Sequence, residues 1–172
     1  MLTAGARQDP AVLRRILSVV LWLAASTGLI VAVFSVIQEM CLATACRDTV
    51  SFTLFGVDMG WFGIAYFSAI LILLWLQRKF VLLEQILAAS IFAGIGAEFR
   101  LLWIQKYVIG SWCPLCVTIC CALFIAAAAL LIGKVLGTGA DQGQGGNLAG
   151  WMVFIVSMIA AGLAVAFVGV RA

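Results

Sequence analysis

The stretch Cys113-Pro114-Leu115-Cys116, continued by Val117-Thr118-Ile119-Cys120-Cys121-Ala122-Leu123-Phe124-Ile125 and on to Ile132, has no charged side chain along its whole length. At ~1.5 Å per helical residue such a run crosses the ~30 Å hydrocarbon core of a bilayer, so it predicts a transmembrane helix from Cys113 to about Ile132. Pro114 suits the first helical turn, where its missing N–H would have no partner anyway. Cys113 then falls at the N-cap and Cys116 in the first turn. Two cysteines this close can open and close as a disulfide without large backbone movement. At the positive end of a helix dipole they read as a poised redox pair rather than an inert one.

The rest of the chain extends the membrane reading. Of 172 residues, 66% are hydrophobic, 10% are charged and none is histidine, and the mean hydropathy is +1.23. No water-soluble domain of this size has such a composition. The net charge of +3 does not point to nucleic acid, because the basic residues sit at the ends of apolar runs and form no patch.

Upstream, a polar start at residues 1–15 precedes an apolar run from Ile16 to Ile37. Ala43-Thr44-Ala45-Cys46 resembles a signal or lipoprotein cleavage site, but signal cores are ~7–15 residues and this run is far longer, so it is expected to stay as the first span. The interval 38–60 is too polar to cross and too aromatic to float free, and is expected to lie on the bilayer face as short helical pieces. A second span runs from Trp61 to Leu76 and a third from Phe80 to Tyr107. After the fourth, residues 134–150 form a glycine-rich linker, and Trp151 to Val170 makes a fifth span.

Five spans put the termini on opposite sides. Arg7, Arg14, Arg15, Arg78, Lys79 and Lys134 fall on the N-terminal side, against Arg47, Lys106 and Arg171 on the other, with Arg100 near or inside the third span. The positive-inside rule makes the N-terminal side cytoplasmic. Cys41, Cys46, Cys113 and Cys116 then all face the outer compartment, where disulfides persist. Two dithiol pairs on one face make a thiol-disulfide relay physically reasonable, each cycle moving two electrons with no metal or flavin. With no histidine for haem and no nucleotide-binding glycine motif, the natural electron sink is a quinone reached from inside the bilayer.

These residues resemble the vitamin K epoxide reductase (VKOR) family in its bacterial form. The resemblance runs through Cys41-x4-Cys46, Ser51, Leu54-Phe55-Gly56-Val57, Trp61-Phe62-Gly63-Ile64-Ala65-Tyr66 and Cys113-Pro114-Leu115-Cys116, covering the first four spans, residues 16–133 with the outer loop 38–60. It implies an all-α integral membrane protein whose four-helix transmembrane bundle surrounds a quinone site, with the fifth helix added. It also implies a quinone, ubiquinone or menaquinone, as electron acceptor in the inner (plasma) membrane. Bacterial members oxidise a thioredoxin-like protein. Because many continue after the fifth helix into a fused thioredoxin-like domain and this sequence ends at Ala172, a separate, DsbA-like partner is expected.

By the same resemblance Cys41 exchanges with the partner, Cys46 passes electrons to Cys113, and Cys116 faces the quinone. Ser51 helps to hold the loop near the site. Apart from the resemblance, Phe55, Trp61 and Phe62 either line a quinone pocket or pack against lipid. Animal members hold the quinone carbonyls through a tyrosine and an asparagine at the positions of Cys120 and Met59. Neither residue here is a comparable donor, so other groups must place the quinone.

Some residues keep two readings. Cys120 and Cys121 are either small hydrophobes at a helix interface or, with Cys116, a soft-metal stripe. Glu98 is a proton route to the quinone, or Glu98 and Arg100 are interfacial charges at a tilted helix end. The tryptophans at 61, 103, 112 and 151 read mainly as interface anchors. Two rival functions are a quinone reductase of the DsbB type, in which the order of the two cysteine pairs is reversed, and a thiol-rich metal-binding or structural membrane protein.

Overall fold

The computed structural model describes residues 10–40, 53–54, 56–77, 81–110, 112–138 and 148–171. Five long helices dominate: α1 (Pro10–Met40), α2 (Met59–Leu76), α3 (Val81–Ile104), α4 (Pro114–Thr138) and α5 (Leu148–Gly169). Each carries a stretch long and apolar enough to cross a membrane, Val12–Ile37, Met59–Leu76, Leu82–Val108, Pro114–Val135 and Gly150–Gly169, the third running past the end of α3 into the turn that follows it. The architecture is that of an all-α, multi-pass membrane protein. Backbone groups in lipid must be satisfied within their own segment, which a helix does at every residue.

Four of the five helices are longer than the hydropathic runs that predict them, while α3, with 24 residues, ends short of Tyr107. α1 has 31 residues, about 46 Å at 1.5 Å per residue, so it overshoots the hydrocarbon core at its ends. Its start at Pro10 follows the preference of proline for the first helical position.

The core is built from small residues on one face of α1 meeting larger ones opposite. Leu21, Ala24, Ala25 and Ala32 recur at helical spacing and pack with Phe67, Ile70 and Leu74 of α2, Leu87 and Ile91 of α3, and Leu123 and Ala126 of α4. α5 adds partly buried side chains, among them Trp151, Phe154 and Met158. Its main neighbour is α3. There a Cβ on Gly162 would overlap the Ala93 carbonyl, and one on Gly96 would overlap the Ile159 carbonyl, so the two backbones touch only because both positions are glycine. The large apolar side chains left exposed, such as Leu23, Ile30, Leu82 and Val168, form the surface that suits lipid.

The described part of the interval before α2 is not helical. It contains two short strands, β1 (Thr53–Leu54) and β2 (Val57–Asp58), paired antiparallel with Leu54 opposite Val57. Gly56 between them has φ +82°, a conformation that glycine adopts at no steric cost and that turns the chain back within two residues. A third strand, β3 (Val170–Arg171), pairs with the other edge of β1, Leu54 opposite Val170. The end of α5 is thereby tied beside the start of α2.

The third span also changes character near its end. After Ile104 the helix widens into a π-helical turn, Gln105–Ile109, closed by Gly110 in the left-handed region. Tyr107 and Val108 are exposed there, whereas Gln105 is turned fully inward. The chain then reaches Cys113 at the start of α4.

Candidate functional site

Pro114 occupies the first position of α4, and the Cys113 carbonyl accepts the amide of Val117 at 3.2 Å. Cys113 therefore stands at the N-cap and Cys116 in the first turn, as the spacing predicts. Cys113 is buried and Cys116 is partly exposed. Cys113 is disulfide-bonded, while Cys116, Cys120 and Cys121 are free thiols. The partner of Cys113 is therefore not its neighbour in the Cys-x-x-Cys pair.

Both cysteines border a cavity of about 300 Å³ whose wall draws on all five helices, a size at the lower end of small-ligand sites. α1 contributes Ala32 and Ser35, α2 Met59, Phe62 and Tyr66, and α5 the small residues Ala161, Gly162 and Ala166. The wall is apolar apart from a few groups. Among these, Tyr66 donates its hydroxyl hydrogen to the Ser90 carbonyl at 2.8 Å. Gln105 accepts the Cys113 N–H on its side-chain oxygen at 3.2 Å and also hydrogen-bonds Cys116. Glu98 is buried in the wall, and its Oε2 has no hydrogen-bond partner among the described residues.

The expected site residues fare differently. Cys113, Cys116, Met59 and Phe62 meet at the cavity. Cys41, Cys46, Ser51 and Phe55 lie outside the described residues. Cys120 is buried but is not part of the cavity wall, because it is a helical turn further along α4, against the packed interior. Cys121 is exposed on another face. The three thiols thus occupy three different environments, and among the described residues no three metal-ligating side chains converge.

Glu98 faces the interior of the bundle. Arg100 turns away from the cavity, its guanidinium carbon 4.0 Å from the Phe167 ring centroid and 4.7 Å from that of Trp103. Trp61, Trp103 and Trp112 are exposed, as interface anchors are. Trp151 is partly buried, with the Lys134 ammonium 4.9 Å from its ring.

Gln105 and the α5 wall are the site features that sequence reasoning misses. A polar side chain within a span was the available signal for Gln105, but its neighbour Lys106 makes it look like part of an interfacial helix end. The chain matches no known family model, no curated protein and no solved structure.

Proposed function

We propose that this protein is a membrane thiol-disulfide oxidoreductase of the vitamin K epoxide reductase type. In this reading it takes electrons from a separate thioredoxin-like protein outside the cytoplasm and delivers them to a membrane quinone. The first four helices form the catalytic bundle, and α5 closes one wall of its cavity. The observation that carries the reading is the state of the Cys-x-x-Cys pair: Cys113 is in a disulfide with another cysteine, and Cys116 is a free thiol beside an apolar cavity.

That state is the one a relay passes through. The partner dithiol first reduces the Cys41–Cys46 disulfide. Cys46 then attacks Cys113 of the Cys113–Cys116 disulfide, forming a Cys46–Cys113 bond and releasing Cys116. Attack by Cys41 on Cys46 frees Cys113 and restores the loop disulfide. The dithiol of Cys113 and Cys116 then returns to its disulfide as two electrons and two protons pass to the quinone, giving quinol. Cys113, bonded to a cysteine other than Cys116 and held at its amide by Gln105, suits the receiving role. Cys116 suits the quinone-facing role.

Anaerobic mixing of the purified protein with reduced thioredoxin and menadione, followed by quinone absorbance, tests this directly. Wild type is expected to consume quinone, Cys41→Ala to lose the thioredoxin-dependent rate, and Cys116→Ser to be inactive. Full activity of Cys116→Ser would sink the scheme.

A further inference from the structure

Of Met59 and Cys120, the two positions that the resemblance singles out for holding the quinone, only Met59 reaches the cavity. A thioether is at best a weak acceptor and cannot donate to a carbonyl oxygen. The cavity itself supplies the candidates for a replacement. Tyr66 from α2 borders it, but its hydroxyl hydrogen is committed to the Ser90 carbonyl. Gln105 is committed to the cysteine pair. α1 offers the uncharged Ser35, and α5 offers only apolar side chains.

Glu98 is different. It lies in the cavity wall, is nine-tenths buried, and leaves one carboxyl oxygen without a partner among the described residues. It shares the cavity wall with Cys116 and Tyr66. Arg100, two residues on, is stacked against aromatic rings on the side of α5. A buried ionisable side chain left unpaired within a membrane span is costly, and such residues mark proton and substrate sites.

We infer that Glu98 is a catalytic residue of the cavity: its carboxylic acid donates a hydrogen bond to a carbonyl oxygen of the quinone and delivers one of the two protons that make the quinol. The inference rests on the oxidoreductase reading above. The balance closes within the site. Formation of the Cys113–Cys116 disulfide releases two electrons and two protons. The quinone takes up both electrons, one proton from Glu98 and the other from the thiols. The remaining thiol proton returns Glu98 to its acid form, so no outside oxidant or reductant is needed.

The test isolates the quinone step. Protein reduced with dithiothreitol, freed of it and mixed anaerobically with decylubiquinone is followed by stopped-flow absorbance, for wild type, Glu98→Gln and Glu98→Ala. Quinone binding is measured in parallel by quenching of tryptophan fluorescence, and the reduction of the protein's disulfides by dithiothreitol serves as the control for an intact fold. The near-isosteric Glu98→Gln keeps a hydrogen-bond donor but has no acidic proton. It is expected to bind quinone within ~3-fold of wild type while single-turnover reduction falls ~100-fold or more, the usual scale for losing a general acid. Glu98→Ala is expected to lose binding as well. Glu98→Gln reducing quinone at the wild-type rate would overturn this inference and leave the oxidoreductase reading intact. A wild-type protein whose disulfides accept electrons but which reduces no quinone would overturn both.

Discussion

Gln105 has to find protein partners for both ends of its amide, because a buried polar group left unpaired is expensive. Its oxygen accepts the Cys113 N–H. That leaves the –NH₂ end as the donor that reaches Cys116. One side chain thus touches both cysteines of the Cys-x-x-Cys pair, and it does so from the π-helical turn that rotates it inward. Such turns are frequent at functional sites. Gln105→Leu strands the Cys113 amide, and unfolding in detergent is expected to show a loss of about 1–3 kcal/mol, the cost of an unsatisfied buried donor. Gln105→Glu keeps an acceptor for that amide and is expected to lose less stability, while slowing reduction of the Cys113 disulfide because the donor to Cys116 is gone. Equal behaviour of the two variants in both measurements would mean that Gln105 merely fills space.

Among the elements, the contact between α3 and α5 decides whether the cavity has its fifth wall. Gly96 and Gly162 each lie under a carbonyl of the opposite helix, so a larger residue at either position forces the backbones apart. Gly162→Leu is expected to cost about 1–3 kcal/mol or more, as overpacking does, and to weaken quinone binding by opening the wall that Ala161 and Ala166 complete. Quinone affinity that survives this variant unchanged would put the ligand elsewhere. The existence of α5 was legible, because a long apolar run between a glycine-rich stretch and Arg171 has no other use. Its place in the site was not, since small residues on a helix do not name the neighbour they admit. The same division holds elsewhere. The start of α4 is readable from Pro114 and the Cys-x-x-Cys spacing, both local signals. The pairing of Leu54 with Val170 joins two-residue strands from distant parts of the chain, too short for any periodicity to emerge. The widening after Ile104 depends on tertiary packing around Gln105 rather than on residue propensity.

For the molecule as a whole, the charges and the redox chemistry have to agree on which face is outside. One end of the bundle carries Arg14 and Arg15 on α1, and on α3 and α4 the Glu84–Lys134 pair at 3.6 Å, with Lys134 above Trp151. The other end carries the β1–β2 hairpin, Cys113 and the β3 strand at the close of α5. By the positive-inside rule, the excess of Lys and Arg predicts that the first end is the cytoplasmic one. On that expectation the second end faces the compartment where a disulfide at Cys113 persists. An alkaline phosphatase reporter, active only when exported, is expected to be active when fused after Arg171 and inactive when fused after Thr138. The opposite pattern would place Cys113 and Cys116 before the cytoplasmic thiol pool. That pool would keep Cys113 reduced and leave the relay without its disulfide intermediate, so the orientation result bears on the chemistry as directly as any cysteine substitution.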